Sequence, residues 1–262
     1  MNIIFKPIGR IGNAIFRYLA SVLLIIKSNY KYNYIDSNKL LIPFKIVRNP
    51  DFVRYVNDPN IIPNLNLVMG DFYQIENVYT ECKSNIIDYI NNHKFEHTIK
   101  SQLDNGTVTY YLHQFIDNQT CINMYDIVIH IRLDDFVTIN EHIPIQKLID
   151  LMEKIEFNIN HKIGLVFDQI KTNFEKIYID QLTNWFSNRH LSVSIENNDV
   201  ITDFHIMKNA RILICSRSTL SWCAAYLSTN IEKCYMPNYP ILRKRPYQTF
   251  KTPIQNTILY DI

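Results

Sequence analysis

The sequence lacks a dominant charge, paired cysteines and a long apolar segment, and each absence excludes a class of protein. Its formal net charge of +2 is too small for the broad basic surface that binds a nucleic-acid backbone. The five cysteines form no Cys-x-x-Cys pair, so neither a disulfide framework nor a zinc site is indicated. We therefore expect no nucleic-acid partner, no bound metal and a reducing compartment.

The segment that most resembles a signal sequence is residues 11–26. Its apolar part, residues 18–26, is far shorter than the roughly 20 residues of a membrane span, and no small-x-small cleavage site follows it. We interpret this segment as a buried helix and expect a cytoplasmic chain without a membrane span. Glycine is also scarce, with 5 residues, but this bias indicates no particular chemistry.

The 262 residues, of which 47% are hydrophobic and 20% charged, describe a globular protein of two small lobes or one large domain. From Asp126 onward, short β-branched runs alternate with helical stretches, which predicts a parallel sheet in a Rossmann-like lobe over residues 126–262. The predicted strands are 127–131, 163–167, 191–195 and 212–215, and the predicted helices are 145–155, 174–186, 203–209 and 219–227. Residues 1–125 form the other lobe, with a strand at 3–5 and helices at 14–27 and 84–91.

The first candidate site is the segment Gly9-Arg10-Ile11-Gly12-Asn13, which connects a predicted strand to a predicted helix. Two glycines let backbone N–H groups approach an anion closely, and the helix N-terminus and Arg10 add positive charge. Turn chemistry without any ligand explains the same pattern. A Walker loop is excluded because the Gly-Lys-Ser/Thr ending is missing.

The second candidate site is the end of the strand Ile127–Ile131, which delivers His130, Arg132 and Asp135 to the carboxyl edge of the sheet. The planar fork of Arg132 suits a diphosphate. The alternative is a surface Arg–Asp pair beside a core histidine. Asp134 and Asp135 could also suggest a metal site, but the preceding arginine competes with a cation there.

The third candidate site combines Asp203 with the polar turn Ser216-Arg217-Ser218-Thr219 before a helix. Hydroxyls and N-terminal amides in such a turn bind phosphate, although a simple N-cap is the alternative. Trp222 and Tyr226 have helical spacing and are expected in the core rather than stacked on a base.

Four segments in this order resemble the α-1,2-fucosyltransferase family. They are residues 9–16, with the Gly-Arg-x-Gly-Asn form of protein O-fucosyltransferases; residues 70–79; residues 130–136, similar to His-x-Arg-Arg-Gly-Asp-Tyr; and residues 203–227, a stretch that also resembles α-1,6-fucosyltransferases. In the third segment Leu133 replaces the second arginine and Asp134 replaces the glycine.

The resemblance implies an α/β fold of the GT-B type, with two Rossmann-like lobes and a donor-binding cleft between them. It implies an inverting, metal-independent glycosyltransferase that moves fucose from GDP-fucose, its co-substrate, to a glycan hydroxyl, without a cofactor. Arg132 and Asp135 would be catalytic. The donor-binding residues would be Gly9, Arg10, Gly12, Asn13, His130, Arg132, Asp203, Ser218 and Thr219.

Two alternatives remain open on the sequence. The chain could use another nucleotide sugar, or it could be a catalytically weak nucleotide- or glycan-binding protein, because Leu133 removes one charge-assisted contact. The general base is also open among Asp71, Asp135, Glu141 and His142.

Overall fold

The computed structural model describes residues 2–5, 9–28, 30–32, 43–74, 77–103, 106–117, 124–238 and 253–262. The chain divides into two compact units, Met1–Asp117 and Asn118–Ile262, which we call the N-terminal and C-terminal units. Within the described ranges, no helix is both long enough and apolar enough to cross a lipid bilayer.

The N-terminal unit contains a four-stranded parallel sheet in the order β2-β1-β4-β3. Its strands are β1 (Asn2–Phe5), β2 (Lys31–Tyr32), β3 (Phe44–Val47) and β4 (Asn66–Met69). A separate antiparallel hairpin consists of β5 (Thr98–Leu103) and β6 (Gly106–Tyr111). The helices are α1 (Ile11–Lys27), α2 (Asn49–Asn57), α3 (Asn77–Glu81), α4 (Lys83–His93) and α5 (His113–Ile116), with a 3-10 turn at Pro59–Ile61.

Helix α1 is the central helix of this unit and is buried along most of its length, as the apolar run predicts. Even Arg17 is buried, and its guanidinium donates to the carbonyl oxygen of Met69 at 2.9 Å. The helix begins at Ile11 rather than at the predicted Ala14, because the Ala14 N–H donates to the carbonyl oxygen of Arg10 at 3.1 Å and closes a first turn. Gly12 and Asn13 therefore lie inside that turn.

The C-terminal unit contains six parallel strands in the order β12-β11-β10-β7-β8-β9. They are β7 (Ile127–His130), β8 (Ile163–Val166), β9 (Val193–Glu196), β10 (Ile212–Ile214), β11 (Lys233–Pro237) and β12 (Thr257–Tyr260). The first three strands run outward from β7 on one side and the last three run outward from β10 on the other, which is the Rossmann strand order. The predicted class of two Rossmann-like α/β units is confirmed at the level of each unit.

Helices cover this second sheet on both faces, and β7 and β8 are therefore buried at every residue. The helices are α6 (Asp135–Thr138), α7 (Ile145–Met152), α8 (Asn173–Ser187), α9 (Val200–Asn209) and α10 (Thr219–Leu227). Trp222 and Tyr226 are fully buried and stacked with ring centroids 5.0 Å apart, so their prediction as core residues is confirmed.

Candidate functional site

The C-terminal sheet reverses its strand order between β7 and β10, and this is the point where ligands bind in open α/β sheets. His130 ends β7, and Ser216 follows β10. The Ser216 Oγ and the His130 Nδ1 are 2.7 Å apart, so a hydrogen bond ties the two strand ends together. Two segments singled out from the sequence, 127–136 and 216–222, thus meet at the topological switch point.

His130 contributes a neutral ring to this point. Burial, together with the charge of Arg132, lowers the pKa of His130 to about 3. The imidazole is therefore uncharged at neutral pH, and it does not add a cation for a phosphate group. Its role in the structure is to hold Ser216 and to support the backbone that leads to Arg132.

Arg132 and Asp135 lie together as an ion pair, with an Nη2–Oδ1 distance of 2.6 Å. The Arg132 side chain is 17% exposed and that of Asp135 is 49% exposed. The guanidinium carbon also lies 5.5 Å from the centre of the Phe136 ring. The structure thus contains the Arg–Asp pair of the alternative interpretation, and it places that pair beside the switch point.

The backbone between Arg132 and Phe136 forms a tight turn that normally requires glycine. Asp134 has φ 41° and ψ −120°, and the Phe136 N–H donates to the Leu133 carbonyl oxygen at 2.8 Å. These values describe a type II′ turn with Asp134 at its first central position, where glycine is favoured because φ is positive. Position 134 therefore has a backbone conformation that glycine favours, although the residue is aspartate.

Leu133 is a core residue. It is 7% exposed and belongs to the hydrophobic core that includes residues of β7 and β8. A charged side chain in that direction would enter an apolar environment at a high desolvation cost. One arginine of the turn is consequently available for a ligand, and that is Arg132.

The N-terminus of α10 lies at the same edge, since the helix follows β10 and runs back antiparallel to it. Ser218 is the N-cap residue, and its Oγ accepts from the Leu220 N–H at 3.2 Å. The Ser218 N–H donates to the Ser216 carbonyl oxygen at 2.8 Å, which keeps this loop tight. The capping alternative is thus correct for Ser218, and the turn still presents Thr219 and the positive end of a helix.

Arg217 and Glu141 form a buried ion pair that was not predicted from the sequence. Their side chains are 3% and 10% exposed, and the Arg217 Nη1 lies 2.5 Å from Glu141 Oε2. The same Nη1 donates to the Glu141 carbonyl oxygen at 2.8 Å. The loop that starts α10 is therefore fastened to the loop that follows α6.

Asp203 lies in the first turn of α9, whose N-cap is Asp199. The Asp203 Oδ1 accepts from the Asn198 N–H at 3.2 Å and from its side-chain amide at 3.1 Å. Burial raises the pKa of Asp203 to about 6, although the Asn198 hydrogen bonds oppose this shift. The carboxyl group is thus ionised at neutral pH and becomes protonated under mildly acidic conditions.

In the N-terminal unit, the glycine loop packs against the segment that follows β4. Gly9 has φ 78°, and a Cβ on it would lie 2.8 Å from the Asn13 Nδ2 and 2.9 Å from the Phe72 ring, so no side chain fits. Asn13 accepts a hydrogen bond from the Gln74 side chain at 2.8 Å. Two more segments of the resemblance, 9–16 and 70–79, thus meet where the adjacent strands β1 and β4 end, although residues 75 and 76 lie outside the described residues.

Arg10 and Gly12 complete the predicted set in this unit. Arg10 is the N-cap residue of α1, with an extended backbone at φ −73° and ψ 173°, and Gly12 is buried in the first turn. The sequence pattern predicts that the amides of this turn face an anion.

The candidates for the general base already have partners or are partly buried. Each of the three carboxylates contacts a cation: Asp71 with Arg48, Asp135 with Arg132, and Glu141 with Arg217. His142 packs its ring edge-on against Phe174. Burial lowers the pKa of His142, although a hydrogen bond with the Phe136 backbone opposes this shift. Over the described part of the chain, no three His, Cys, Asp or Glu side chains are grouped as a metal site.

Comparisons with known proteins show similarity to solved structures only. No family model matches the chain, and no curated protein matches it. The structure of POFUT1 in complex with GDP is similar with a TM-score of 0.46 and 11% identity, over 89% of this chain and 97% of that one. E. coli heptosyltransferase WaaC with ADP is similar with a TM-score of 0.48 and 10% identity, over 100% of this chain and 93% of that one. At such low identity, function has to be argued from the site.

Proposed function

We propose that this chain is an inverting, metal-independent glycosyltransferase that transfers fucose from GDP-fucose to a glycan hydroxyl, in an α-1,2 linkage. The observation that carries the proposal is the convergence at the switch point of the C-terminal sheet. There the His130–Ser216 hydrogen bond joins two strand ends, Arg132 follows one strand, and the N-terminus of α10 follows the other. An arginine fork and a helix N-terminus at one sheet edge suit a diphosphate.

In this proposal Arg132 exchanges its partner when the donor binds. In its ion pair with Asp135, the Arg132 side chain is 17% exposed and the Asp135 side chain 49% exposed. Such a partly exposed pair contributes about 0–1 kcal/mol, so a diphosphate carrying more charge displaces the carboxylate. The fork then donates two hydrogen bonds to phosphate oxygens and stabilises the negative charge that grows on the departing GDP. Ser218 and Thr219 complete the phosphate contacts, and His130 supports them as a neutral residue.

Asp203 supports guanine as the base. The guanine edge presents two neighbouring N–H donors, and an ionised carboxylate accepts both, whereas uracil offers a single N–H there. Asp203 is ionised at neutral pH because its pKa is about 6. The resemblance of residues 203–227 to fucosyltransferases points in the same direction.

Four residues of the N-terminal unit are proposed as donor-binding residues as well. Gly9, Arg10, Gly12 and Asn13 are assigned to the sugar and the phosphates by the resemblance. The tight packing around Gly9 and the Asn13–Gln74 hydrogen bond support this assignment, since they fix the loop in one conformation. We propose Asp135 as a catalytic residue. Its side chain is the more exposed of the Arg132–Asp135 pair, and its carboxylate becomes available when Arg132 binds the donor.

A second candidate function is nucleotide binding with little or no turnover. The observation that favours it is Leu133, whose place in the core leaves one arginine in the turn. A protein with this deficit would still bind GDP through Arg132 and α10, but it would stabilise the leaving group less.

A thermal-shift panel with GDP, UDP, dTDP and their sugars tests these proposals. We expect GDP and GDP-fucose to raise the melting temperature and UDP and dTDP to leave it unchanged at millimolar concentration. Equal shifts with GDP and UDP would remove the GDP assignment. GDP stabilisation without release of GDP from GDP-fucose, in the presence of a panel of glycan acceptors, would favour the binding protein.

A further inference from the structure

The turn that carries Arg132 is held by a residue from a different part of the chain. Glu175 lies in the first turn of α8 and its residue is 3% exposed. Its Oε1 accepts from the Asp134 N–H at 3.0 Å. Its Oε2 accepts from the N–H groups of Lys171 and Thr172 at 2.7 and 2.8 Å.

These contacts divide between the two carboxylate oxygens. The Oε2 side belongs to the capping box of α8, in which Thr172 also accepts from the Glu175 N–H at 3.2 Å. The Oε1 side reaches out of the helix to the turn 41 residues away in sequence. A capping box needs one acceptor oxygen from the glutamate side chain. The Oε1 of Glu175 is therefore not needed for the helix cap, and it binds the turn instead.

The turn needs such a contact because its backbone is strained. Asp134 has φ 41°, a region that costs a residue with a side chain more than it costs glycine. A second contact comes from the Lys171 ammonium, which lies 3.0 Å from Asp134 Oδ1. The contacts from Glu175 and from Lys171 both come from the start of α8, and they hold the side of the turn that faces that helix.

We propose that Glu175 is a positioning residue, which holds the Asp134 turn in its strained form and thereby places the Arg132 guanidinium for the diphosphate. The inference rests on the proposed function, since it assigns Arg132 to a phosphate ligand. Glu175 itself touches no ligand in this proposal. It replaces, through a buried carboxylate, the conformational preference that a glycine would supply at position 134.

The variant Glu175→Gln separates the two roles of the side chain. Glutamine has one acceptor oxygen, and it satisfies more donors by turning that oxygen toward Lys171 and Thr172. Its NH2 group then faces the Asp134 N–H, so the tie to the turn is lost while the helix cap is kept. We expect the affinity for GDP to fall roughly tenfold, which corresponds to about 1.4 kcal/mol.

The rescue variant is Glu175→Gln combined with Asp134→Gly. Glycine adopts the positive φ without strain, so the turn forms without its anchor and most of the GDP affinity returns. The matched control is Glu153→Gln, which removes another carboxylate that contacts α8 and its end, through Trp185 and Arg189. We expect this control to change the melting temperature and to leave the GDP affinity unchanged.

The experiment is isothermal titration with GDP, combined with hydrogen exchange of peptides covering residues 132–137 in the free protein. Glu175→Gln should speed exchange in this turn and leave α8 protected. Unchanged exchange, or wild-type GDP affinity in Glu175→Gln, would overturn the positioning role, as would failure of the glycine rescue. If exchange responds as expected but the wild-type protein binds no GDP, the anchor stands and the proposed function fails.

Discussion

Replacing Arg132 with lysine tests the central step of the proposed reaction. Lysine keeps the positive charge but loses the planar fork that donates two hydrogen bonds to a phosphate. In the structure Arg132 contacts Asp135 at 2.6 Å and the Phe136 ring at 5.5 Å, and both contacts are partly exposed. Their loss should lower the free energy of unfolding by about 1 kcal/mol or less.

The expected effect on turnover is much larger than the effect on folding. If the fork stabilises the departing GDP in the transition state, Arg132→Lys should raise the barrier by about 3 kcal/mol, or roughly a hundredfold in rate. The assay is release of GDP from GDP-fucose at saturating donor, with and without glycan acceptors. Urea denaturation of the same samples reports the folding free energy.

Arg189→Lys is the matched control for this experiment. Arg189 also combines a carboxylate partner, Glu153, with an aromatic ring, Trp185, at 4.0 Å. Arg189 follows the end of α8, and α8 runs antiparallel to the strands. Arg189 therefore lies near the amino ends of the strands, whereas the switch point lies at their carboxyl ends. It should therefore share the small loss in stability and keep full turnover. Wild-type turnover in a folded Arg132→Lys protein would refute the role assigned to Arg132.

Three further predictions concern the strained turn, the nucleotide base and metal ions. The free energy of unfolding of Asp134→Gly should be about 1–2 kcal/mol higher than that of Asp134→Ala. Both variants lose the Lys171 contact, but only glycine adopts the positive φ without strain. Equal urea midpoints for the two variants would contradict this. The pKa of Asp203 is raised to about 6, so the carboxylate is lost as the pH falls below that value. GDP affinity should drop roughly tenfold between pH 7 and pH 5, beyond the change seen in Asp203→Asn, which also controls for titration of the phosphate. EDTA should leave GDP release intact, because Arg132 and helix amides supply the positive charge, and strict dependence on magnesium or manganese would disprove this.

The central strands of the C-terminal unit could be predicted because they are buried on both faces. Residues 127–130 and 163–166 consist of apolar residues with one glycine and one histidine, as expected of parallel strands between helices. Strands β11 and β12 were not predicted. β11 contains lysine, cysteine, methionine and proline, and its place in the sheet depends on pairing with β10, which no local pattern reveals.

The sequence names candidate residues for the site but not the contacts between them. Arg132 and Asp135 are three residues apart, and whether they pair depends on the turn between them, which is set by the positive φ of Asp134. Glu175 was missed because its partner lies 41 residues away. The signal that could have found it is the spacing Thr172-x-x-Glu175, which is typical of a capping box but says nothing about a second acceptor.

The buried pair of Arg217 and Glu141 restricts how this protein can evolve. Removing one partner would strand a charge in the interior at a cost of about 3–5 kcal/mol, which is a large share of the stability of most domains. Exchanging both for apolar residues of similar volume is close to neutral by comparison. Natural variants should therefore keep both residues or lose both. Positions 141 and 217, in the loop after α6 and the loop before α10, should thus co-vary.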